Sequence, residues 1–457
     1  MAEKKLISEF KGQLSSGIDK TKGFKIILED DWEQQTGWIQ LYDIVLYRQG
    51  IPFAVFEFKE DKNQINLEAK FILSALKITK ARYGIFVVRN EYYLLDKGNR
   101  FEKLEKINFE TLINYLNNPT SIFLSVDIKK EIEKVIYNRV NEFIVNNQKH
   151  YFLSFLENSN LFEKIQFNPN SNSFGFVDNN NGLESFENQF FNHLLGEFKE
   201  AKICRYTSLK SLFTSLNVST FRMNGLVGMN DKTEVNYVDD YLNDAPIPFQ
   251  KLHHNTVSAI NKRYISSCSL QSMADNLTMW RLYGDDCKGV CLFYKVNKLN
   301  LNNHTLLQKV SYADKNGTHL LLEFLKWIKR DIENILELTF EFRKLRYWKH
   351  FFKPFDYSIE KEVRLLVIDS EDVPIEKREW VLTDSHSILN PVIDIRLNHP
   401  NFPLILDEII LGPKSPEANI NKVQIEELLR IKIPQMTFKN RPYSKINVRI
   451  SNIQNYR

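Results

Sequence analysis

Hydrophobic positions change period several times along this chain, and each change marks an element. Ile65, Ala69, Ile72, Leu73 and Leu76 recur on one helical face, and Ile128, Ile132, Val135, Ile136, Val140, Phe143 and Ile144 form a longer helical stripe. Ahead of the first of these lie two runs that read as strands, Ile39–Tyr47 and Ile51–Lys59, joined at the turn Arg48-Gln49-Gly50. Two more, Tyr83–Val88 and Glu91–Leu95, meet at Arg89-Asn90. With an opening helix over Glu3–Leu14, residues 1–107 read as a compact α/β unit in the order helix, hairpin, helix, hairpin. Residues 108–183 read as a helical connector ending in an asparagine-rich loop or irregular hairpin, Phe167–Gly182, and a domain boundary is placed there.

Residues 184–457 mix short strands and helices. Ile203–Thr207, Ser219–Met223, Arg263–Ser269, Gly289–Tyr294, Glu362–Ile368 and Glu408–Leu411 have strand character. A long helix is predicted over Leu320–Lys349, apolar at Leu321, Leu325, Ile328, Ile332 and Ile335, and a last one over Ala418–Arg430. The expected fold is therefore a multidomain α+β or α/β protein.

Composition narrows the partners. A length of 457 residues suits two to four domains, and 43% hydrophobic with 26% charged residues is ordinary for a globular chain. The net charge of +4 excludes coating nucleic acid by bulk charge and leaves room for a local basic cleft. Residues 1–107 carry 18 basic and 16 acidic side chains, so any grip there rests on a few groups. Cys204, Cys268, Cys287 and Cys291 form no CxxC pair and no zinc spacing, and are expected reduced and buried. No signal-like start and no run of about 18 apolar residues is present, so a cytoplasmic protein without membrane partners is expected.

Two constellations carry chemistry. The first joins Asp43 in LYDIVLY to Glu57 and Lys59 in AVFEFKE. Residues two apart on a strand share a face, so Glu57 and Lys59 point together while Phe56 and Phe58 point away. Two carboxylates offer hard oxygen ligands for Mg²⁺ or Mn²⁺, which lowers the pKa of a bound water, and a lysine beside them offsets developing charge. Lys62, Lys70 and Lys77, with Lys80 and Arg82, are candidate phosphate contacts. In this order the segment Glu3–Leu95 resembles the PD-(D/E)XK nuclease superfamily, especially the nuclease region of type I restriction enzyme motor subunits. The resemblance implies a restriction-endonuclease-like mixed sheet with flanking helices, metal at Asp43 and Glu57, a catalytic Lys59, and Glu9 as an opening-helix acid. It departs from that pattern in lacking an evident glutamine–tyrosine signature on the following helix, although Gln64 lies near its start. Glu60 and Asp61 also make the loop after the motif acidic.

The second constellation runs from Arg205 to Tyr443. It comprises RYTSL, with Ser208 as a helix N-cap, the loop MNDKTE with Asn230 and Asp231, a serine strand leading to MWRLYGDDCKGV, then EKEVRLL and IILGP. Arg205, Tyr206, Ser267, Trp280, Tyr283 and Arg364 are its candidate substrate-binding residues. The set resembles a bacterial family of unknown function, and more distantly the ADP-ribosyltransferase plan. The latter implies NAD as substrate, with Arg205 on an early strand, Ser267 on a middle one, and Glu362 as the late catalytic glutamate.

Three functions follow as expectations. The first is a Mg²⁺-dependent nuclease acting on DNA or RNA in bacterial anti-phage defence or as a toxin, fused to a sensing or second effector domain. The second is an NAD-using transferase in the C-terminal half, with the N-terminal domain reading nucleic acid. The third is an inactive binding module. The connector helix suits intramolecular packing better than dimerisation; a homo-oligomer or a defence-system partner protein stays open.

Overall fold

A computed structural model describes residues 2–28, 42–59, 63–99, 104–176, 185–226, 232–242, 262–302, 304–383, 388–439 and 445–454. It is a mixed α+β protein that divides into two compact units. The first comprises Met1–Asn181, Asp239–Leu252 and Leu320–Leu345; the second comprises Gly182–Val238, His253–His319 and Arg346–Arg457.

The first unit is built on a sheet of six described strands, β1 (Phe24–Leu28), β2 (Ile44–Arg48), β3 (Ile51–Lys59), β4 (Tyr83–Val88), β5 (Glu91–Asp96) and β6 (Glu105–Ile107), paired in that order. The ladders are antiparallel except between β3 and β4, which run parallel with the helix Asn63–Thr79 as the crossover. Successive β3 side chains alternate between two cores. Phe56 and Phe58 pack on Phe10 of the helix Ala2–Gly17, both rings 5.4 Å away. Val55 faces the other way, among Ala75 and Leu76 of the crossover helix. β1 and β6 go beyond the two expected hairpins, each a short run that adds an edge.

The connector helix Val126–Phe143 buries Ile132, Ile136 and Val140 and packs along the helix Leu320–Leu336, an Arg139–Asp331 ion pair at 2.7 Å joining the two. That second helix is shorter than the predicted Leu320–Lys349. Glu337 turns left-handed at φ 55, and Phe340–Glu341 then pairs as a strand with Ser173–Phe176. The described part of the asparagine-rich stretch forms the hairpin Ile165–Asn168 and Ser173–Phe176, and residues 177–182 lie outside the described residues.

The second unit holds ten described strands in one sheet: β7 (Lys202–Thr207), β8 (Thr220–Gly225), β9 (Arg263–Leu270), β10 (Val290–Val296), β11 (Thr305–Lys309), β12 (Glu362–Ile368), β13 (Ile375–Thr383), β14 (Ile388–Arg396), β15 (Leu404–Leu411) and β16 (Asn447–Ile450). The path runs β13-β14-β8-β9-β7-β10-β15-β16, and β12 pairs with both β9 and β11. One face buries Ile203, Tyr264, Val363, Leu365 and Ile409 with the helices Leu209–Val218 and Ala418–Met436; the other buries Cys204, Tyr206, Trp280, Cys291 and Phe293. All four cysteines are buried thiols. Gly289 and Gly412, from the MWRLYGDDCKGV and IILGP motifs, meet where two loops cross. A Cβ on Gly289 would fall 2.2 Å from the Thr207 carbonyl oxygen, and one on Gly412 2.2 Å from that of Cys287. No helix among the described residues is long and apolar enough to cross a membrane.

Candidate functional site

A polar cavity of the second unit forms where its sheet forks. β9 lies against β12 from Arg263 to Ser269. Its other edge is shared: Tyr264 and Ile265 pair with β8, whereas Ser269 and Leu270 pair with β7. The Leu270 N–H donates to Lys361 and the Lys262 carbonyl accepts from Asp369, so even-numbered main-chain groups of β9 face β12. The odd-numbered ones face the other edge. Ser267 therefore turns its N–H and C=O into the gap between β7 and β8, and its side chain is exposed.

A cavity of about 420 Å³ opens at this gap, within the range of small-molecule sites. Arg205, Tyr206, Ser267, Tyr283, Glu362 and Arg364 all line it, six of the residues picked out from sequence. Arg205 leans over the Phe221 ring and donates to the Arg222 carbonyl at 3.2 Å. The Tyr206 hydroxyl donates to the Met273 carbonyl at 2.7 Å and accepts from the Asn276 N–H at 3.0 Å, which fixes its ring. Trp280 is a correction. It is fully buried, edge-on to Tyr206, and its indole N–H donates to Asp275 at 2.9 Å, so it is part of the wall's support and does not line the cavity. Asn230, Asp231 and Tyr443 lie outside the described residues.

The floor of the cavity is a charge cluster. Arg364 donates to Glu362 at 2.7 Å and to the His350 carbonyl at 2.6 Å. Lys353 lies 2.8 Å from Glu362 and 3.1 Å from Glu360, and the Tyr283 hydroxyl donates to Glu360. Burial alone pushes the Glu362 carboxyl up; Arg364 and then Lys353 outweigh it and hold the group at about 2. Counting Arg205, Lys353 and Arg364 against Glu360 and Glu362, the lining is net positive, which suits an anionic ligand. Lys353 and Tyr357 were not picked out from sequence. Lys353 lies in the aromatic run FFKPF, where a lysine reads as a solvent-seeking charge.

In the first unit, Asp43 precedes β2 rather than lying within a strand, whose first residue is Ile44. Ile44 pairs with Phe56, so Asp43 stands across from Glu57 at the end of that ladder. The Asp43 carboxylate accepts the Phe58 N–H at 2.7 Å, and Lys59 lies 3.6 Å from Glu57. Glu57 and Lys59 share the face of Val55, under the crossover helix. Burial and the nearby Glu57 charge push the Tyr42 hydroxyl up to about 12. Asp43, Glu57 and Lys59 are thus brought together. Glu9 is not: it is exposed on the helix covering the opposite face of the sheet. Among the described residues no group of three or more His, Cys, Asp or Glu side chains gathers to hold a metal ion.

The candidate phosphate contacts fare differently. Lys62 lies outside the described residues, as does the Lys70 side chain. Lys77 and Lys80 lie toward the far end of the crossover helix from Lys59; Lys77 pairs with Glu337 at 3.6 Å, and Lys80 donates to the Glu333 carbonyl at 3.4 Å. Arg82 is fully buried on Asp96 at 2.9 Å and on Thr120, so it offers nothing to a nucleic-acid backbone.

Comparison with known proteins places a family match on one side of this cavity. Residues 279–365 match a family model described as a protein of unknown function, DUF2971. That segment supplies Tyr283, Lys353, Tyr357, Glu360, Glu362 and Arg364, which form one side of the cavity. No curated protein and no solved structure matches the chain.

Proposed function

We propose that the second unit is an NAD-using transferase or hydrolase whose reaction takes place in the forked-sheet cavity. The observation that carries this reading is the convergence of Arg205, Ser267 and Glu362, from three strands far apart in sequence, on one cavity with net positive lining. Cleaving the nicotinamide–ribose bond sends the bonding electron pair out with nicotinamide and leaves positive charge on the ribose. A fixed carboxylate facing that carbon stabilises the charge as it develops, and Glu362 is such a group. The diphosphate is dianionic, and Arg205 is the cation at the mouth of the fork. The open main-chain edge at Ser267 offers one donor and one acceptor to a planar amide. An acceptor hydroxyl, amine or water then forms the new bond at the ribose carbon and gives up its proton to solvent. Incubating the full chain with NAD⁺ and measuring free nicotinamide and labelled acceptor tests the reading. Release that Glu362→Gln abolishes is expected; equal release in both proteins overturns it.

A second reading concerns the first unit, and the shared face of Asp43, Glu57 and Lys59 supports it. The two carboxylates fit the hard-oxygen preference of Mg²⁺ or Mn²⁺, which supplies an activated water and phosphate polarisation when bound. Asp43 and Glu57 would hold the ion, and Lys59 would steady the attacking water. On this reading the unit is a nuclease, and the chain a two-part toxin or defence effector. Plasmid DNA or RNA digested with Mg²⁺ by wild type but not by Lys59→Ala is the expected result, and equal digestion overturns it.

A further inference from the structure

The cavity floor contains a lysine that neither motif reading nor the proposed chemistry uses. Lys353 is 5% exposed at its side chain and touches two carboxylates, Glu360 at 3.1 Å and Glu362 at 2.8 Å. Its place relative to Glu362 is fixed by main-chain bonds. Phe352–Lys353 pairs in parallel with Ser311–Tyr312. The Ala313 N–H donates to the Lys353 carbonyl at 3.0 Å, and the Val310 N–H donates to the Glu362 carbonyl at 2.9 Å. Between them the Tyr312 hydroxyl accepts the Glu362 N–H, also at 2.9 Å. Residues 310–313 thus brace the backbones of both partners, and the Tyr357 ring lies 4.5 Å beneath the ammonium.

Such bracing is more than one ion pair requires. Two carboxylates two residues apart in a buried floor repel, and one of them takes up a proton unless a cation stands between them. Arg364 reaches Glu362 from its own strand. The shared cation is Lys353.

We propose that Lys353 is a positioning residue for the NAD reaction assigned to this cavity, holding Glu362 in place as a carboxylate by standing between it and Glu360. The inference rests on that reading, and Lys353 acts through Glu362 rather than on substrate. The groups facing Glu362 are Arg364 on its own strand, Lys353 on the Phe352–Lys353 strand, Glu360 on the preceding turn, Tyr312 on the bracing segment and Cys268 on β9. Of these, Arg364 and then Lys353 bring its titration down, so removing Lys353 moves it upward.

The test compares wild type, Lys353→Met and Lys353→Arg as full chains, following nicotinamide release from NAD⁺ between pH 5 and pH 9. With Lys353→Met, kcat is expected to fall while KM stays nearly unchanged, and the loss is expected to deepen as the pH is lowered from 9 to 5. Lys353→Arg should restore both rate and profile, and it keeps the test decisive if the methionine variant fails to fold. An unchanged profile in Lys353→Met, or a loss that Lys353→Arg does not relieve, overturns the proposal. Carbon-13 NMR of glutamate side chains, assigned with Glu362→Gln, follows the carboxyl without turnover. If wild type releases no nicotinamide, the NAD reading falls and this role with it. A Glu362 signal that then still titrates higher in Lys353→Met shows that the failure lies in the reading and not in the lysine's hold on the carboxylate.

Discussion

The two carboxylate sites of this chain are assembled in opposite ways. In the first unit Asp43, Glu57 and Lys59 come from one hairpin, and register and alternation bring them together. In the second, Arg205, Ser267 and Glu362 come from β7, β9 and β12, and only the fork in the sheet unites them. The first arrangement depends on a turn and a ladder; the second depends on the whole sheet closing around β9. A local site tolerates change elsewhere in its unit, whereas a site built from distant strands inherits every disturbance of their packing.

The largest effects should expose this difference directly. Glu362→Gln is expected to lower nicotinamide release by about 100-fold or more and to leave any Mg²⁺-dependent cleavage intact. Glu57→Gln should do the reverse. Running both variants through both assays checks the separation. Loss of both activities from either single change would show that the two sites do not work independently.

Next in size is a stability effect in the first unit. Arg82→Met leaves Asp96 buried without its partner and removes two bonds to Thr120, so about 3–5 kcal/mol should be lost. Urea denaturation followed by fluorescence measures it. A change below about 1 kcal/mol would mean that Asp96 finds water instead.

The second unit should respond more to acid. Burial lowers His319 from 6.5 to about 4 and His350 well below 6.5. Each is depressed in the folded state, so the unfolded chain binds more protons below pH 6.5 and stability falls as pH drops. His319 alone accounts for about 3 kcal/mol between pH 6.5 and 4, after which its contribution levels off. Glu362, held at about 2, has the same sign but acts only below its ordinary value near 4.5. Thermal melts from pH 8 to pH 4 should show the decline beginning near 6.5, and His319→Gln should flatten it.

What could be read from the sequence follows the same division. Glu57 and Lys59 are two apart on a strand, a spacing that alternation alone interprets, although Asp43 falls one residue short of its strand. Arg205, Ser267 and Glu362 were visible as motif members, but no spacing among them predicts a shared cavity. Lys353 was invisible for a physical reason. Its strand is two residues long, too short for any period, and of its partners Glu360 ends the 3₁₀ helix Phe355–Glu360 while Glu362 opens the strand after it. Trp280 misled because an aromatic on a short helix looks the same whether it faces a ligand or a core. The overlong helix to Lys349 misled because apolar residues continue past Leu336, while the break is a backbone turn at Glu337.

The smallest expected effect is the most pointed for the nuclease reading. Lys77 was a candidate phosphate contact, but it pairs with Glu337 at 3.6 Å across exposed side chains. An exposed pair of this kind contributes less than about 1 kcal/mol, so Lys77→Ala should hardly move the unfolding midpoint. Lys77 also lies near the end of the crossover helix remote from Lys59, so the substitution should leave nucleic-acid affinity and its salt dependence unchanged. Filter binding across a salt series measures both. A slope reduced by about one charge would place the phosphate backbone along the whole helix, and the Asp43–Glu57 site would then be one end of a much longer track.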